Sequence, residues 1–467
     1  MEIELKGKKA LVVGLGDTGL SLARWLTRKG ATVRVVDSRE APPRAAQLKV
    51  ELPQLALDTG PFHEESFRDI DMIALSPGVA LREPRISEAL NAGVFVCGDV
   101  ELFAQALKKM PLTRVLAITG SNGKSTVTSM TGEMCRAAGL NTVVAGNIGL
   151  PVLDALTQAE NQVQRGKRPD VFVLELSSFQ LETTYTLEPG AAAVLNLSED
   201  QLDRYPSMAE YAAAKARIFA GSGVQVLNRD DRQSFTMAGK ERRVFSFGLG
   251  RPLREMEWGL LEVAGEKWLA QGEMKLMPVK ELPLTGLHNA ANALAALALC
   301  RAIGIEYAPL LHALKKFRGL PHRVQKIADI GGVGFYDDSK GTNVGATVAA
   351  LNGMQQKVVL IAGGDGKGQD FSPLKTAITG HARALVLIGR DGEKIAQAVA
   401  GGNVPMRRAT SMREAVALSF SLAQRGDAVL LSPACASFDM FRNYEHRAEA
   451  FAQAVRELQK QPRVGAN

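Results

Sequence analysis

The sequence is poor in most of the features that assign a chain to a specialised class. It has 4 cysteines in 467 residues, Cys97, Cys135, Cys300 and Cys435. No two have the spacing of a metal knuckle or a redox pair, so they read as reduced thiols. Histidine is scarce too, and His288 and His322 stand alone and read as structural. No apolar run approaches the roughly 20 residues a membrane-spanning helix needs, so no membrane insertion is expected. Met1-Glu2-Ile3-Glu4-Leu5-Lys6 has neither the apolar segment nor the small-residue cleavage site of a signal peptide, and the expected location is cytoplasmic. The net charge of +7 is modest and not gathered into one basic run, so nucleic acid is not an expected partner. There is no internal repeat and no long disordered linker.

What is present is ordinary in bulk and specific in detail. Apolar residues make up 46% and charged residues 22%, as in soluble globular proteins. The length points to about three domains. The most informative stretch is Ile118-Thr119-Gly120-Ser121-Asn122-Gly123-Lys124-Ser125-Thr126. An apolar run, Val115 to Ile118, reads as a buried strand, and apolar residues at Val127, Met130, Met134 and Ala138 read as a helix. Glycines between them let backbone N–H groups close on an anion. Lys124 supplies a point charge, and the Ser125 hydroxyl suits a Mg²⁺ bound to phosphate. The common phosphate loop would need Gly at position 118. Here Gly120 lies three residues before Gly123, so the loop is shortened.

Three blocks follow one another. In the first, the strand Lys9–Val13 leads through Gly14-Leu15-Gly16-Asp17-Thr18-Gly19 into a helix, and a second strand, Thr32–Val36, ends at Asp37. This is a dinucleotide-binding fingerprint, which reads a pyrophosphate on a helix N-terminus and a ribose near the second strand. A nucleoside diphosphate conjugate satisfies the same physics. A nicotinamide dehydrogenase built on this fingerprint would leave the Lys124 loop unexplained. A non-catalytic nucleotide switch remains as the other alternative. Ala74-Leu75-Ser76-Pro77-Gly78-Val79 reads as a further strand end with a turn.

The second block carries the Lys124 loop and the strands Val171–Leu176 and Ala193–Leu197, apolar enough for a parallel sheet buried on both faces. From about 241 to 285, around Trp258 and Trp268, the pattern is that of a small antiparallel patch. The third block has buried-strand candidates at Val358–Ala362, Leu385–Ile388 and Ala428–Leu431. The fold class is therefore α/β with three domains, a Rossmann-like first, a central phosphate-loop ATPase sheet with its antiparallel patch, and a Rossmann-like third. Their expected spans are 1–107, 108–317 and 318–467.

Functional groups in such sheets collect at strand C-termini. Glu175 ends one strand. By itself it reads equally as a half-exposed strand end, but beside a phosphate loop it reads as a Mg²⁺ ligand. Ser198 to Tyr205 puts carboxylates and an amide on one loop. Lys215, on a helical pattern, reads as a surface lysine from the residues alone. In the third block Arg318, Arg323, Lys340 and Lys367 gather at predicted strand ends, as transfer of a γ-phosphoryl group requires.

Together these motifs resemble the Mur ligases, ATP-dependent amide-forming enzymes of peptidoglycan precursor synthesis and cell-wall biogenesis. The resemblance covers essentially the whole chain, from Gly14 to Arg447. The loop Thr119 to Ser125 is similar to the family's shortened form, and Gly286-Leu287-His288-Asn289-Ala290-Ala291-Asn292 looks like its adenine-contacting segment. Ser76-Pro77-Gly78, Asp338 to Asn343 and Ser432 to Asp439 are similar to the D-glutamate-adding branch.

The resemblance implies an ATP-dependent ligase that joins D-glutamate to UDP-N-acetylmuramoyl-L-alanine through an acyl phosphate, with one or two Mg²⁺, acting as a monomer. It implies UDP-substrate contacts at Gly16, Asp17, Thr18, Asp37, Ser38, Ser76 and Gly78, with Asn147, Ser177 and Gln180 on the sugar-peptide side. ATP would be held by Gly120, Ser121, Asn122, Gly123, Lys124, Ser125, Thr126, Asn289, Arg323 and Asp338. D-Glutamate would meet Lys340, Thr342, Lys367, Ser437 and Tyr444. Lys124, Lys215, Arg323 and Lys340 would be catalytic. Metal ligands would be Ser125, Glu175 and Lys215, the last as a carbamate, which reverses its reading from the residues. Gln201 stands where the family commonly has a His that ligates a second metal, and its carbonyl oxygen suits hard Mg²⁺.

Overall fold

The computed structural model describes residues 4–199, 204–284 and 286–460. It forms three sheets in succession. The first holds β1 (Lys9–Val13), β2 (Thr32–Asp37), β3 (Ala56–Thr59), β4 (Met72–Leu75) and β5 (Phe95–Cys97), all parallel, in the order 3-2-1-4-5. The order reverses between β1 and β4. The crevice beyond their C-termini is where such sheets bind ligands.

The second sheet holds β6 (Arg114–Thr119), β7 (Thr142–Gly146), β8 (Val171–Glu175), β9 (Ala191–Val194), β10 (Val224–Asn228), β11 (Val244–Phe247), β12 (Glu257–Val263), β13 (Glu266–Gln271) and β14 (Met274–Pro278). Its order is 14-13-12-11-10-9-6-8-7, and only β12, β13 and β14 pair antiparallel, which is the small patch the sequence predicts. The predicted strand Ala193–Leu197 begins earlier and stops at Val194. Asn196 leaves the ladder because its side chain pairs with the Asn122 backbone instead, donating to the Asn122 carbonyl at 3.0 Å and accepting from the Asn122 N–H at 2.8 Å.

The third sheet holds β15 (Gln325–Ile330), β16 (Val333–Asp337), β17 (Val358–Gly363), β18 (Ala382–Ile388), β19 (Met406–Arg408) and β20 (Ala428–Leu431), in the order 15-16-20-17-18-19. All pairs but β15–β16 are parallel. The strands read as apolar runs because helices cover both faces, so alternation is lost. No helix among the described residues is long and apolar enough to cross a membrane. The four cysteines are buried and form no disulfide.

Candidate functional site

Two turns meet at the reversal in the first sheet. The loop after β1 needs glycine at two positions. Gly14 has φ of +90°, and a Cβ on Gly19 would lie 1.8 Å from the Gly14 carbonyl oxygen. Asp17 and Thr18 open the helix Asp17–Arg28 behind Gly16. Ser76 and Gly78 lie on the turn after β4, and the Ser76 N–H donates to the Val13 carbonyl at 2.9 Å. Asp37, beside Ser38, is buried at the end of β2. It accepts from the Leu15 N–H at 2.6 Å and from two Arg39 nitrogens at 2.8 and 2.6 Å. Burial pushes its carboxyl up, but Arg39 and the Leu15 amide outweigh that and hold it below the usual range. Asp37 therefore braces the glycine loop.

In the second sheet the shortened loop follows β6 directly. Gly120 and Gly123 have φ of +147° and +84°. A side chain at Gly123 would collide with Asn292 Oδ1 at 2.6 Å. The helix Lys124–Ala137 starts at once, so its free N–H groups face the loop. Lys124 Nζ donates to the carbonyls of Gly120 at 2.8 Å and Ser121 at 2.9 Å. Ser121 Oγ bonds with Tyr211 Oη at 3.1 Å, and Thr126 is buried in the first turn of the helix.

Glu175 ends β8, next to β6, and is 1% exposed, not half-exposed. Its Oε1 accepts from Asn147 Nδ2 at 2.8 Å, while its Oε2 is buried with no hydrogen-bond partner. A buried carboxylate oxygen without a partner is costly unless a cation meets it. A carboxylate oxygen here and the Ser125 hydroxyl at the start of the neighbouring helix are both hard oxygen donors, the type that fits Mg²⁺. No group of three or more His, Cys, Asp or Glu forms a metal cluster among the described residues. A cation here would rely on mixed donors and phosphate oxygens. Gln201 lies outside the described residues.

Lys215 is 2% exposed, against the surface reading its helical pattern gives. Its Nζ donates to the Gly120 carbonyl at 3.0 Å and stands 4.6 Å from the centre of the Tyr211 ring. It thus approaches the loop from the side opposite the solvent. Ser177 and Gln180 form a capping box on the helix Ser178–Glu182, and Gln180 Nε2 also reaches Asp99 Oδ2 at 3.4 Å. Both ends of the Gln180 amide are used within the fold.

The third sheet presents β16, β20 and β17 side by side, so their C-terminal loops converge. Arg323 Nη2 donates to Ser125 Oγ at 2.9 Å, and Asn343 Nδ2 donates to Asn122 Oδ1 at 3.0 Å. These two bonds cross to the second sheet. Asp338 accepts from Ser432 Oγ at 2.7 Å, and burial raises its carboxyl to about 7. Lys340 Nζ lies 3.6 Å from the centre of the Tyr444 ring. Burial first, and Arg323 second, lower its ammonium to about 8. Thr342 follows on the same loop, its N–H donating to the Lys340 carbonyl at 2.9 Å. Ser437 is buried after β20, and Lys367 follows β17 with φ of +49°. A cavity of about 270 Å³ lies between the two sheets, lined by Asn122, Thr126, Asn289, Arg323, Asp338 and Lys340 among others.

Sequence reasoning overlooks three of the polar groups that hold this arrangement. Arg447, 1% exposed, donates to Ser339 Oγ and O and to the Cys435 carbonyl at 2.8–3.0 Å, tying the loops after β16 and β20 to the last helix. Burial lowers its guanidinium to about 10. Asn196 and Tyr211 support the glycine loop. Little local marks these residues, because the bonds of Arg447 to Ser339, Asn196 to Asn122 and Tyr211 to Ser121 all join positions distant in sequence. His322 is less isolated than its sequence neighbours imply, with Nδ1 2.6 Å from Asp337 Oδ2.

A three-sheet α/β chain with a shortened phosphate loop facing a cationic third sheet is the architecture of a known class. Residues 118–300 match the Mur ligase middle domain, residues 8–98 the N-terminal domain described as Mur ligase MurD-like, and residues 322–435 the Mur ligase glutamate ligase domain. The chain belongs to the Mur ligase family. It is 58% identical, over 97% of both chains, to the UDP-N-acetylmuramoylalanine–D-glutamate ligase of Nitrosomonas eutropha. It is 59% identical, over 98% of both, to the ligase of the same name from Thiobacillus denitrificans. Among solved structures it resembles the UDP-N-acetylmuramate-alanine ligase MurC of Thermotoga maritima, with a TM-score of 0.60 at 19% identity over 97% of this chain and all of that one. It also resembles MurF of Acinetobacter baumannii, with a TM-score of 0.62 at 17% identity over 99% and 93%.

Proposed function

We propose that this protein is an ATP-dependent amide ligase that adds D-glutamate to UDP-N-acetylmuramoyl-L-alanine in peptidoglycan precursor synthesis. It would act as a cytoplasmic monomer built of units 1–107, 108–317 and 318–467. The observation that carries the reading is the approach of the third sheet's cations to the phosphate loop. Arg323 bonds Ser125, Lys340 feels the charges of Glu175 and Lys124, and Arg323, Asp338 and Lys340 line one cavity with Asn122, Gly123 and Thr126. The names of the near-full-length relatives support the choice of substrates.

The alanyl carboxylate attacks the γ-phosphorus of ATP, ADP leaves, and an acyl phosphate forms. Lys124 and Arg323 offset the charge that builds on the transferred group. Mg²⁺ held by Ser125 and Glu175 would supply further charge neutralisation. Lys215, carried as a carbamate, would add a third ligand. Asn289 and Asp338 hold the adenosine end. The first-sheet crevice, through Gly16, Asp17, Thr18, Asp37, Ser38, Ser76 and Gly78, holds the UDP, with Asn147, Ser177 and Gln180 along the sugar-peptide arm. Lys340, Thr342, Lys367, Ser437 and Tyr444 hold D-glutamate. Its amine, having lost a proton, attacks the acyl carbon, and phosphate leaves. Docking of the third sheet over the second shields the acyl phosphate from water.

The deciding assay is phosphate release from ATP with UDP-N-acetylmuramoyl-L-alanine, comparing D-glutamate, L-glutamate, L-lysine and meso-diaminopimelate. Release only with D-glutamate is expected. Release with another amino acid, or none with any, removes the reading. Activity of a Lys215→Ala variant restored by short-chain carboxylic acids would support the carbamate.

A further inference from the structure

Arg204 belongs to the second unit and holds the first as well. Its side chain is 10% exposed, and Nη2 donates to Glu182 Oε2 at 2.7 Å. The guanidinium carbon sits 4.1 Å from the centre of the Phe179 ring. Glu182 and Phe179 lie on the short helix Ser178–Glu182 and hold the guanidinium from one side. From the other side Nη1 donates to the Pro77 carbonyl at 3.0 Å and Nη2 to the Val79 carbonyl at 3.2 Å. Those two carbonyls belong to the turn Ser76-Pro77-Gly78-Val79 after β4.

In a planar trans peptide the C=O and the following N–H point in opposite directions. Fixing the Pro77 carbonyl on Arg204 therefore fixes the Gly78 N–H away from it, and fixing the Val79 carbonyl does the same for the Ala80 N–H. The turn closes on itself through the Val79 N–H, which donates to the Ser76 carbonyl at 3.0 Å. Gly78 has no side chain to restrict its backbone, so the Arg204 fork adds a hold on the peptide plane that the turn bond alone leaves free to tilt. A flexible lysine would present a point charge where the planar fork spans both carbonyls at once.

We propose that Arg204 is a positioning residue for the nucleotide-sugar substrate: it sets the amides of the turn after β4 from across the joint between the first two units. This rests on the proposed use of the first-sheet crevice for UDP. It adds a group that touches no substrate yet tunes one of the three substrate sites selectively.

The test uses the full-length protein and two probes, UDP and a non-hydrolysable ATP analogue, titrated calorimetrically, alongside steady-state kinetics. For Arg204→Met the UDP affinity should fall about tenfold, and KM for the nucleotide-sugar should rise by as much. Affinity for the ATP analogue should stay within about twofold, since among the described residues no Arg204 hydrogen bond or ring contact reaches the Lys124 loop. Arg204→Lys should recover part of the loss. Should Arg204→Met fail to fold, Glu182→Gln, which frees the guanidinium to turn, carries the test with a loss of about threefold for UDP alone. Unchanged UDP affinity overturns the inference, and so does an equal fall for both probes, which would mark Arg204 as a plain structural staple. A wild-type protein that binds UDP but makes no product would instead overturn the proposed reaction, leaving the UDP titration able to decide on Arg204.

Discussion

The first and second sheets are joined by an interlocked seam with a shared apolar core, whereas the second and third meet across a cleft bridged by a few polar side chains. At the seam, Glu101 is buried and accepts from the N–H groups of Tyr185 and Thr186 at 2.7 and 2.8 Å, and Phe103 stacks edge-on against Phe172 at 5.0 Å. One apolar core runs without a break from Ala10 and Leu22 through Phe103 to Phe172 and Leu227. The third sheet instead closes two cores of its own, one around Leu351 and Leu385, the other around Phe335 and Phe451. Its side-chain ties to the phosphate loop are Arg323 to Ser125 and Asn343 to Asn122. Apolar burial makes a seam that does not open under ordinary fluctuation, while isolated polar bonds are worth about 1 kcal/mol each and exchange readily. The first joint is a frame, and the second is a polar cleft.

The largest expected effect breaks the frame. Phe103→Ala should cost about 3–5 kcal/mol, read as a lower denaturant midpoint, with the first two sheets unfolding together. A cost below about 1 kcal/mol would mean that the core is not shared. Next comes the cleft. Arg323→Ala should lower kcat about 100- to 1,000-fold, roughly 3–4 kcal/mol, while the denaturant midpoint barely moves. An equal loss of stability would place Arg323 with the frame.

The third test is pH. Lys340 titrates near 8 because of its burial and then Arg323, so below that pH its ammonium is charged and able to meet a carboxylate. The profile of kcat/KM for D-glutamate should therefore inflect near pH 8, and in Arg323→Ala the inflection should move upward. No movement would show that the two cations do not sense each other. Smallest of all, Asn343→Ser keeps the helix cap to the Ala346 N–H but removes the bond to Asn122. Stability should stay within about 0.5 kcal/mol, and solution scattering without nucleotide should show a slightly larger radius. An unchanged radius would mean that this bond does not restrain the third unit.

What could be read from the sequence divides along the same line. The strands before both glycine loops were legible because each is a short apolar run ended by glycine, and the phosphate loop because its chemistry is contiguous. Asp37 was legible as important but not in its task, since the Leu15 amide and Arg39 that it binds are set by the turn. Lys215 was misread on local grounds. Its neighbours Ala212, Ala213 and Ala214 give no apolar face, so nothing near it tells that Tyr211 and Gly120 enclose it. The bonds of Arg204 to Pro77, Glu101 to Tyr185 and Arg447 to Ser339 act across roughly 80 to 130 positions of sequence, where composition and periodicity carry no signal.

The unbroken core under the first two sheets also bears on how the chain comes to be folded. Two modules that match separate family descriptions, at 8–98 and 118–300, bury their apolar faces in common. During synthesis the first sheet cannot finish closing when its own last strand leaves the ribosome. Phe103 packs on Phe172, so that ring stays uncovered until the central strands of the second sheet have emerged.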